Sequence, residues 1–322
     1  MKKLLLKLLL IAVIILLPLE GLLFFAPMWY QNTDYVMWKA AWEMCTQERE
    51  ALIIGDSRAK AAIMPNMLDD DTASITVGGG TPAEGYYMLE RYLMYNEPPE
   101  YIVLSYAPFD LTEHGWLWYR TVKYGFLSFK EQAEIVSAYP HSASGLMKDC
   151  AKLVLYRVKY PKYYMAELRD FILHPTENIV KNKATCARLN LLDGYHWFSQ
   201  RTYSADLNVE AGYADFTPNA VLDDYLNRIL TLCAENGITV YYATMPMNEA
   251  SFSALTPAYQ VSYAEYIDSL TAAHANMTVL YDLSARPNSW FSDSSHMNES
   301  GARAFTEEFA AALALAREAE TR

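Results

Sequence analysis

The run Ala51-Leu52-Ile53-Ile54 carries no polar side chain and breaks directly into Gly55-Asp56-Ser57. A short apolar run closed by a tight turn reads as a buried β-strand, and a strand that passes straight into a helix start is the repeating unit of a parallel sheet. The chain keeps to this pattern. A second short strand is expected over 74–77, ending in Gly78-Gly79-Gly80-Thr81-Pro82, where Thr81 suits an N-cap and Pro82 the first helical position. A helix follows over 83–95 and stops at Pro98-Pro99. The β-branched and aromatic run over 101–106 is a third strand. Thr217-Pro218 opens a helix over 220–235 that Gly237 terminates, and a fourth strand covers 238–244. A helix over 259–275, a fifth strand over 278–283 and a final helix over 300–318 complete the alternation. Strands alternating with helices predict an α/β fold, a three-layer α/β/α sandwich around a central, mostly parallel five-stranded sheet.

The alternation lapses over 111–216. That stretch is rich in Tyr, Trp, Phe, Lys and Arg and shows helical patches over 148–158 and 163–173. It reads as a mainly helical insertion covering the active-site edge of the sheet, since excursions of this length are usually lids or binding elements. With 322 residues, 52% of them hydrophobic, residues 31–322 suffice for one large domain with this insertion. There is no internal repeat and no low-complexity segment. The formal net charge of -12 argues against a nucleic-acid partner, whose phosphates need neutralising.

Residues 1–30 point to the membrane. Lys2, Lys3 and Lys7 precede an apolar run that resumes after Pro18 and Glu20 and ends at Trp29-Tyr30. Basic residues ahead of a long apolar segment with an aromatic end predict an N-terminal transmembrane helix with the rest of the chain extracytoplasmic. A cleaved signal peptide is the alternative, and Glu20 within the run is the residue that fits a span least. Of Cys45, Cys150, Cys186 and Cys233, the pair Cys150–Cys186 is the expected disulfide if one forms, and four free thiols are the other reading.

The chemistry-bearing residues lie at strand ends. Ser57 stands at the carboxyl end of the first strand and the start of a helix, where α/β proteins bind ligands and where helix N–H groups face an anion. Asp293-Ser294-Ser295-His296 follows the last strand. It offers a base for the serine and, three residues earlier, a carboxylate to orient that base. His114, His141, His174 and His196 share no metal-ligand spacing, and no metal or other cofactor is implied. His196 sits in the aromatic run 193–198 that is a candidate lining of the active-site edge. Trp116-Leu117-Trp118-Tyr119 suits either core packing or contact with a sugar or a membrane partner.

Gly55-Asp56-Ser57 after the first strand, the glycine cluster after the second, and Asp293-x-x-His296 followed by Asn298-x-x-Gly301 before the last helix resemble the SGNH (GDSL-like) hydrolase superfamily from residue 51 onward, the insertion excepted. The resemblance implies Ser57 as nucleophile, His296 as base and Asp293 as its orienting carboxylate. It implies oxyanion donors from the Ser57 N–H and from the glycine cluster, Gly80 foremost and Gly79 beside it. Members of the superfamily usually carry Gly-x-Asn-Asp after the third strand. Here the segment is Ala107-Pro108-Phe109-Asp110, so Asp110 matches and Phe109 replaces the asparagine; Asn248 and Tyr106 are the candidates to stand in. Asp56 and Arg58 flank the serine, Arg58 with a fork suited to a carboxylate or phosphate, or to a structural ion pair. Gly-Asp-Ser-Arg behind a membrane segment also looks like the anchored SGNH-like partners of membrane-bound O-acyltransferases, such as those of lipoteichoic acid D-alanylation and alginate O-acetylation. The expected activity is therefore transfer of an O-acyl, most simply O-acetyl, group to a surface polysaccharide or other acyl acceptor. An esterase or deacetylase, and a non-catalytic scaffold for a membrane acyltransferase, are the alternatives.

Overall fold

The computed structural model describes residues 2–320. In chain order the principal elements are α1 (Lys2–Phe25), α2 (Thr33–Met44), β1 (Ala51–Gly55), α3 (Ser57–Ala62), β2 (Thr72–Ser74), α4 (Pro82–Tyr95), β3 (Tyr101–Ser105) and α5 (Pro108–Thr112). Then come α6 (Phe129–Ala138), α7 (Ala143–Arg157), α8 (Met165–Leu173), α9 (Glu177–Leu191), α10 (Ala220–Glu235), β4 (Thr239–Ala243) and β5 (Met247–Asn248). The chain closes with α11 (Pro257–Ala273), β6 (Met277–Tyr281), β7 (Ala285–Arg286) and α12 (Glu299–Glu320). It divides into two compact units, Met1–Val36 with Tyr119–Ala187, and Met37–Trp118 with Arg188–Arg322.

The second unit holds the sheet. Its five strands run in the order β2-β1-β3-β4-β6, every pair parallel. The chain winds outward from β1 in both directions, so the connections diverge between the carboxyl ends of β1 and β3. Such a divergence opens a crevice there, which is where doubly wound folds bind ligands. Alternate side chains of the strands enter cores on both faces of the sheet. Ala51, Ile53, Tyr101, Val103, Tyr241 and Ala243 enter one core cluster with Ala59 and Ala62 of α3 and with Ala302, Phe305, Phe309 and Leu313 of α12. Their neighbours point the other way: Ile54 meets Gly85 of α4, and the Tyr242 hydroxyl lies 3.2 Å from that of Tyr263 on α11. With helices on both faces the architecture is that of a three-layer sandwich. The α12 spacing 302, 305, 309, 313 is an amphipathic stripe, and each large apolar side chain it buries contributes about 1.5–3 kcal/mol. A short parallel pair, β5 with β7, stands apart from the main sheet and was not expected from the sequence.

The second strand lies earlier than expected. Regular pairing with β1 covers Thr72–Ser74, and residues 75–77 then follow β1 irregularly, with the Ile75 and Val77 N–H groups donating to Ile53 O (2.9 Å) and Gly55 O (3.1 Å).

The first unit contains α1, the helices α6 to α8 and most of α9. Asn182 of α9 donates to the carbonyls of Met28 (2.9 Å) and Gln31 (2.8 Å), and Tyr35 stacks on Phe126 at 5.2 Å. Among the described residues no helix is long and apolar enough to cross a membrane, so the transmembrane helix expected at the N-terminus is not found. The uninterrupted apolar run of α1, between Lys7 and Glu20, has 12 residues, about 18 Å at 1.5 Å per residue against a hydrocarbon core of roughly 30 Å. The expected Cys150–Cys186 disulfide is likewise absent. All four thiols are free, Cys150 exposed on α7 and Cys186 half-buried on α9.

Candidate active site

Ser57 is the first residue of α3, and Asp56 caps that helix. The Asp56 carboxylate accepts the Arg58 N–H at 2.7 Å and the Ala59 N–H at 3.4 Å, while its other oxygen accepts the Ala107 N–H beyond β3. One buried side chain thus fixes the turn that carries Ser57 and ties it to the neighbouring strand end. The close approach requires Gly55, because a Cβ there would lie 1.8 Å from the Ser105 carbonyl oxygen. The Ser57 N–H, at the first helical position, has no acceptor within the helix.

The histidine arrives from the other end of the chain on a closed loop. An antiparallel bridge joins Phe291 to Met297, and the Ser292 N–H donates to the His296 carbonyl at 2.9 Å. Inside the loop Asp293 Oδ1 accepts the N–H groups of Ser295 and His296, both at 2.8 Å. The same carboxylate meets His296 Nδ1 at 2.9 and 3.0 Å, and His296 Nε2 lies 2.9 Å from Ser57 Oγ. Burial raises the Asp293 carboxyl, but the hydrogen bond and charge of His296 with the two backbone N–H groups outweigh it, and its pKa falls below the usual carboxylate value. Asn298 caps α12 through Gly301 N–H (2.9 Å), and a Cβ on Gly301 would lie 2.2 Å from the Trp290 carbonyl oxygen. That close approach accounts for the Asn298-x-x-Gly301 spacing.

The structure therefore brings Ser57, His296 and Asp293 into one hydrogen-bonded line. It places the other expected residues around that line in supporting roles. Arg58 is buried, with Nη2 at 2.6 and 2.7 Å from the two oxygens of buried Glu210. Burial lowers its pKa but the Glu210 carboxylate more than restores it. Glu210 also accepts the Phe109 N–H at 3.4 Å. Asp110 is buried beside Asp56; burial first, then the Asp56 charge and their shared hydrogen bond, push its carboxyl well above the ordinary range.

The oxyanion candidates separate. The loop 77–80 is pinned to the end of β1 by the Val77 N–H bond to Gly55 O (3.1 Å), but the Gly80 N–H donates to Val77 O at 3.0 Å. Gly79 occupies the left-handed region (φ 61°). Asn248 has its amide N donating to Ser204 O (3.2 Å) and Asp206 O (2.9 Å), with its oxygen accepting the Ser251 N–H. The Tyr106 hydroxyl is buried against Gly85 of α4.

Further residues join the site. Phe198 stacks on the His296 ring at 4.1 Å and 29°, and His196 meets Phe198 edge-on at 5.0 Å while its Nδ1 lies 3.0 Å from Arg188. The aromatic run 193–198 signalled this edge; Glu210, a single acid in an irregular segment, carried no signal. Among the described residues no group of three His, Cys, Asp or Glu side chains is placed to hold a metal ion. His114 instead pairs with buried Glu84 at 2.7 Å, and His141 with Val136 O and Asp149. Trp116 and Tyr119 are exposed and Leu117 is buried. No family model and no curated protein matches this chain.

Proposed function

We propose that this chain is an SGNH-like, extracytoplasmic, serine-dependent O-acyltransferase, with acetyl as the simplest cargo and a hydroxyl of a cell-wall or surface polysaccharide as acceptor. What supports it most is the line Ser57 Oγ–His296 Nε2 (2.9 Å) and His296 Nδ1–Asp293 Oδ2 (2.9 Å). In this reading Ser57 Oγ attacks the acyl carbonyl carbon as its proton passes to His296 Nε2. Collapse breaks the bond to the donor's leaving oxygen, which takes that proton, and leaves an ester on Ser57. An acceptor hydroxyl then gives its proton to Nε2 and attacks the ester, and Ser57 departs with the proton. Asp293 holds the imidazole in the required tautomer and stabilises its cation. The Ser57 N–H, which has no acceptor within its helix, is the donor this reading assigns to the developing oxyanion. A membrane-bound O-acyltransferase is the proposed donor. The extracytoplasmic location is proposed on the signal-peptide reading of residues 1–30, in which Lys2, Lys3 and Lys7 precede an apolar run too short to span a bilayer.

An esterase is the second reading. The His296 and Asp293 side chains stay 18% and 33% exposed, which leaves water access to the base. A serine-reactive phosphonate separates both enzyme readings from a scaffold: Ser57 becomes labelled in the folded protein and Ser57→Ala does not. Absence of label in the folded wild type would overturn the catalytic reading. Incubation with p-nitrophenyl acetate, with and without an oligosaccharide, then separates the two enzymes. Transfer requires an acetylated sugar product, and hydrolysis indifferent to the sugar would leave only the esterase.

A further inference from the structure

Three contacts tie the irregular segment 193–198 to the elements that carry Ser57. The Ser74 N–H of β2 donates to the Asp193 carbonyl at 2.8 Å. Gly194, at φ 95°, lies so close to β2 that a Cβ there would sit 2.1 Å from the Ser74 carbonyl oxygen, a place that suits glycine alone. Lys60, on α3 three residues after Ser57, holds the segment twice. Its buried Nζ donates to the Gly194 carbonyl at 2.8 Å, and its own carbonyl accepts the His196 N–H at 3.2 Å. The segment is thus fixed to β2 and α3, and two residues past His196 it lays the Phe198 ring over His296 at 4.1 Å and 29°.

The stack supplies what the hydrogen bonds of His296 leave open. Asp293 holds Nδ1 and Ser57 Oγ lies 2.9 Å from Nε2. Both nitrogens lie in the ring plane, so these bonds leave the imidazole free to rock about the line that joins them. A flat ring against one face opposes that rocking. The face of a benzene ring is also the negative side of its quadrupole, so the contact favours the imidazolium over the neutral ring. Phe198 is braced in turn by His196, which meets it edge-on at 5.0 Å and 83°. Arg188 donates to His196 Nδ1 at 3.0 Å, and an imidazole nitrogen that accepts carries no proton, so His196 is neutral and adds no charge to the stack.

We infer that Phe198 is a positioning residue for the base: it holds the His296 imidazole on the line to Ser57 Oγ and stabilises the cation that forms when the serine proton moves. The inference rests on the catalytic reading of Ser57 and His296 and adds to it a residue from outside their two loops. The test follows phosphonate labelling of Ser57 in the full chain from pH 5 to 9, with urea midpoints to show that each variant is folded. Wild-type labelling rises with pH as His296 loses its proton. Phe198→Leu removes the ring at a half-buried position. Its plateau rate falls at least about threefold, and its rising limb moves down by about half a pH unit because the imidazolium has lost a stabilising face. Phe198→Met repeats the measurement should the leucine unfold the chain. The other charged groups near the base are Asp293 on its own loop, the cluster of Asp56, Asp110, Arg58 and Glu210, Lys60 on α3, Arg188 beyond His196 and Glu299 at the start of α12, and the substitution changes none of them. Phe198→Tyr keeps the ring and labels as the wild type does. A loss that tyrosine does not restore, or that leaves the pH limb unmoved, would make Phe198 a packing residue and overturn the inference, as would labelling of Phe198→Leu at the wild-type rate. Those outcomes leave the catalytic reading intact, whereas a folded wild type that takes no label removes both.

Discussion

Asp293 performs two tasks with one carboxylate. Its Oδ1 closes the loop by taking the Ser295 and His296 N–H groups, and both oxygens reach His296 Nδ1. The three-residue spacing is what an aspartate-capped turn needs, so the spacing that orients the imidazole also builds its support. This is why the site was legible in sequence. Lys60 is the opposite case, a residue with no role that its neighbours advertise. It lies on the same short helix as Ser57, is 1% exposed, and its Nζ donates to the Gly194 carbonyl at 2.8 Å. Burial lowers its pKa to about 7. The unfolded value is roughly 10.4, so between those two values the unfolded chain binds more protons than the folded one. Stability therefore rises with pH across that window, and below it the buried ammonium costs its full amount. Lys60→Met removes the titrating group. Urea midpoints measured from pH 6 to 10 should show the wild-type rising relative to the variant, with the variant the more stable at pH 7. Parallel curves would mean that Lys60 is not desolvated in the native state.

The strand-to-helix unit is the scale at which the fold and the site meet. β1 delivers Ser57 only because β3 passes close behind the turn, with Ser105 O where a Gly55 Cβ would be. Alternation of apolar runs with turn residues revealed these units, and α10 spans Ala220–Glu235 as expected, although Asn219 rather than Thr217-Pro218 caps its start. Elements without a period were harder to read. β2 was placed late because residues 75–77 continue to bond to β1 after regular pairing ends, and the two-residue strands β5 and β7 are too short to leave a pattern. Gly55→Ala tests the unit. Backbone cannot swing aside as a side chain does, so the variant should lose about 1–3 kcal/mol, as overpacked cores do. The strain is local to the turn that carries Ser57, so phosphonate labelling of Ser57 should slow even where the protein remains folded. A variant as stable and as reactive as wild type would show that β1 and β3 are not packed this closely.

At the scale of the whole molecule the sheet unit is closed by segments far apart in sequence. Arg58 and Glu210 are separated by 152 positions, and no motif links them, which is why Arg58 was legible in the sequence and its partner was not. Phe198 on His296 is a second such link from the irregular stretch after α9. Both bring part of the long insertion to Ser57 and His296, where tertiary packing rather than local pattern decides the contact. The Arg58–Glu210 pair is buried, at 7% and 0% side-chain exposure. Charges taken out of water gain little net stability as a pair but cost much when one is left alone. Glu210→Gln should therefore destabilise by about 3–5 kcal/mol, because the Arg58 charge is stranded and the Phe109 N–H keeps only a weaker acceptor. Replacing both, Arg58→Met with Glu210→Leu, should return most of that loss. Denaturant unfolding of the two single variants and the double variant measures the coupling directly. Simple additivity of the single losses would mean that the pair does not join the insertion to α3. Recovery of stability in the double variant with Ser57 labelling still slow would show that the pair serves to position the nucleophile rather than to hold the fold.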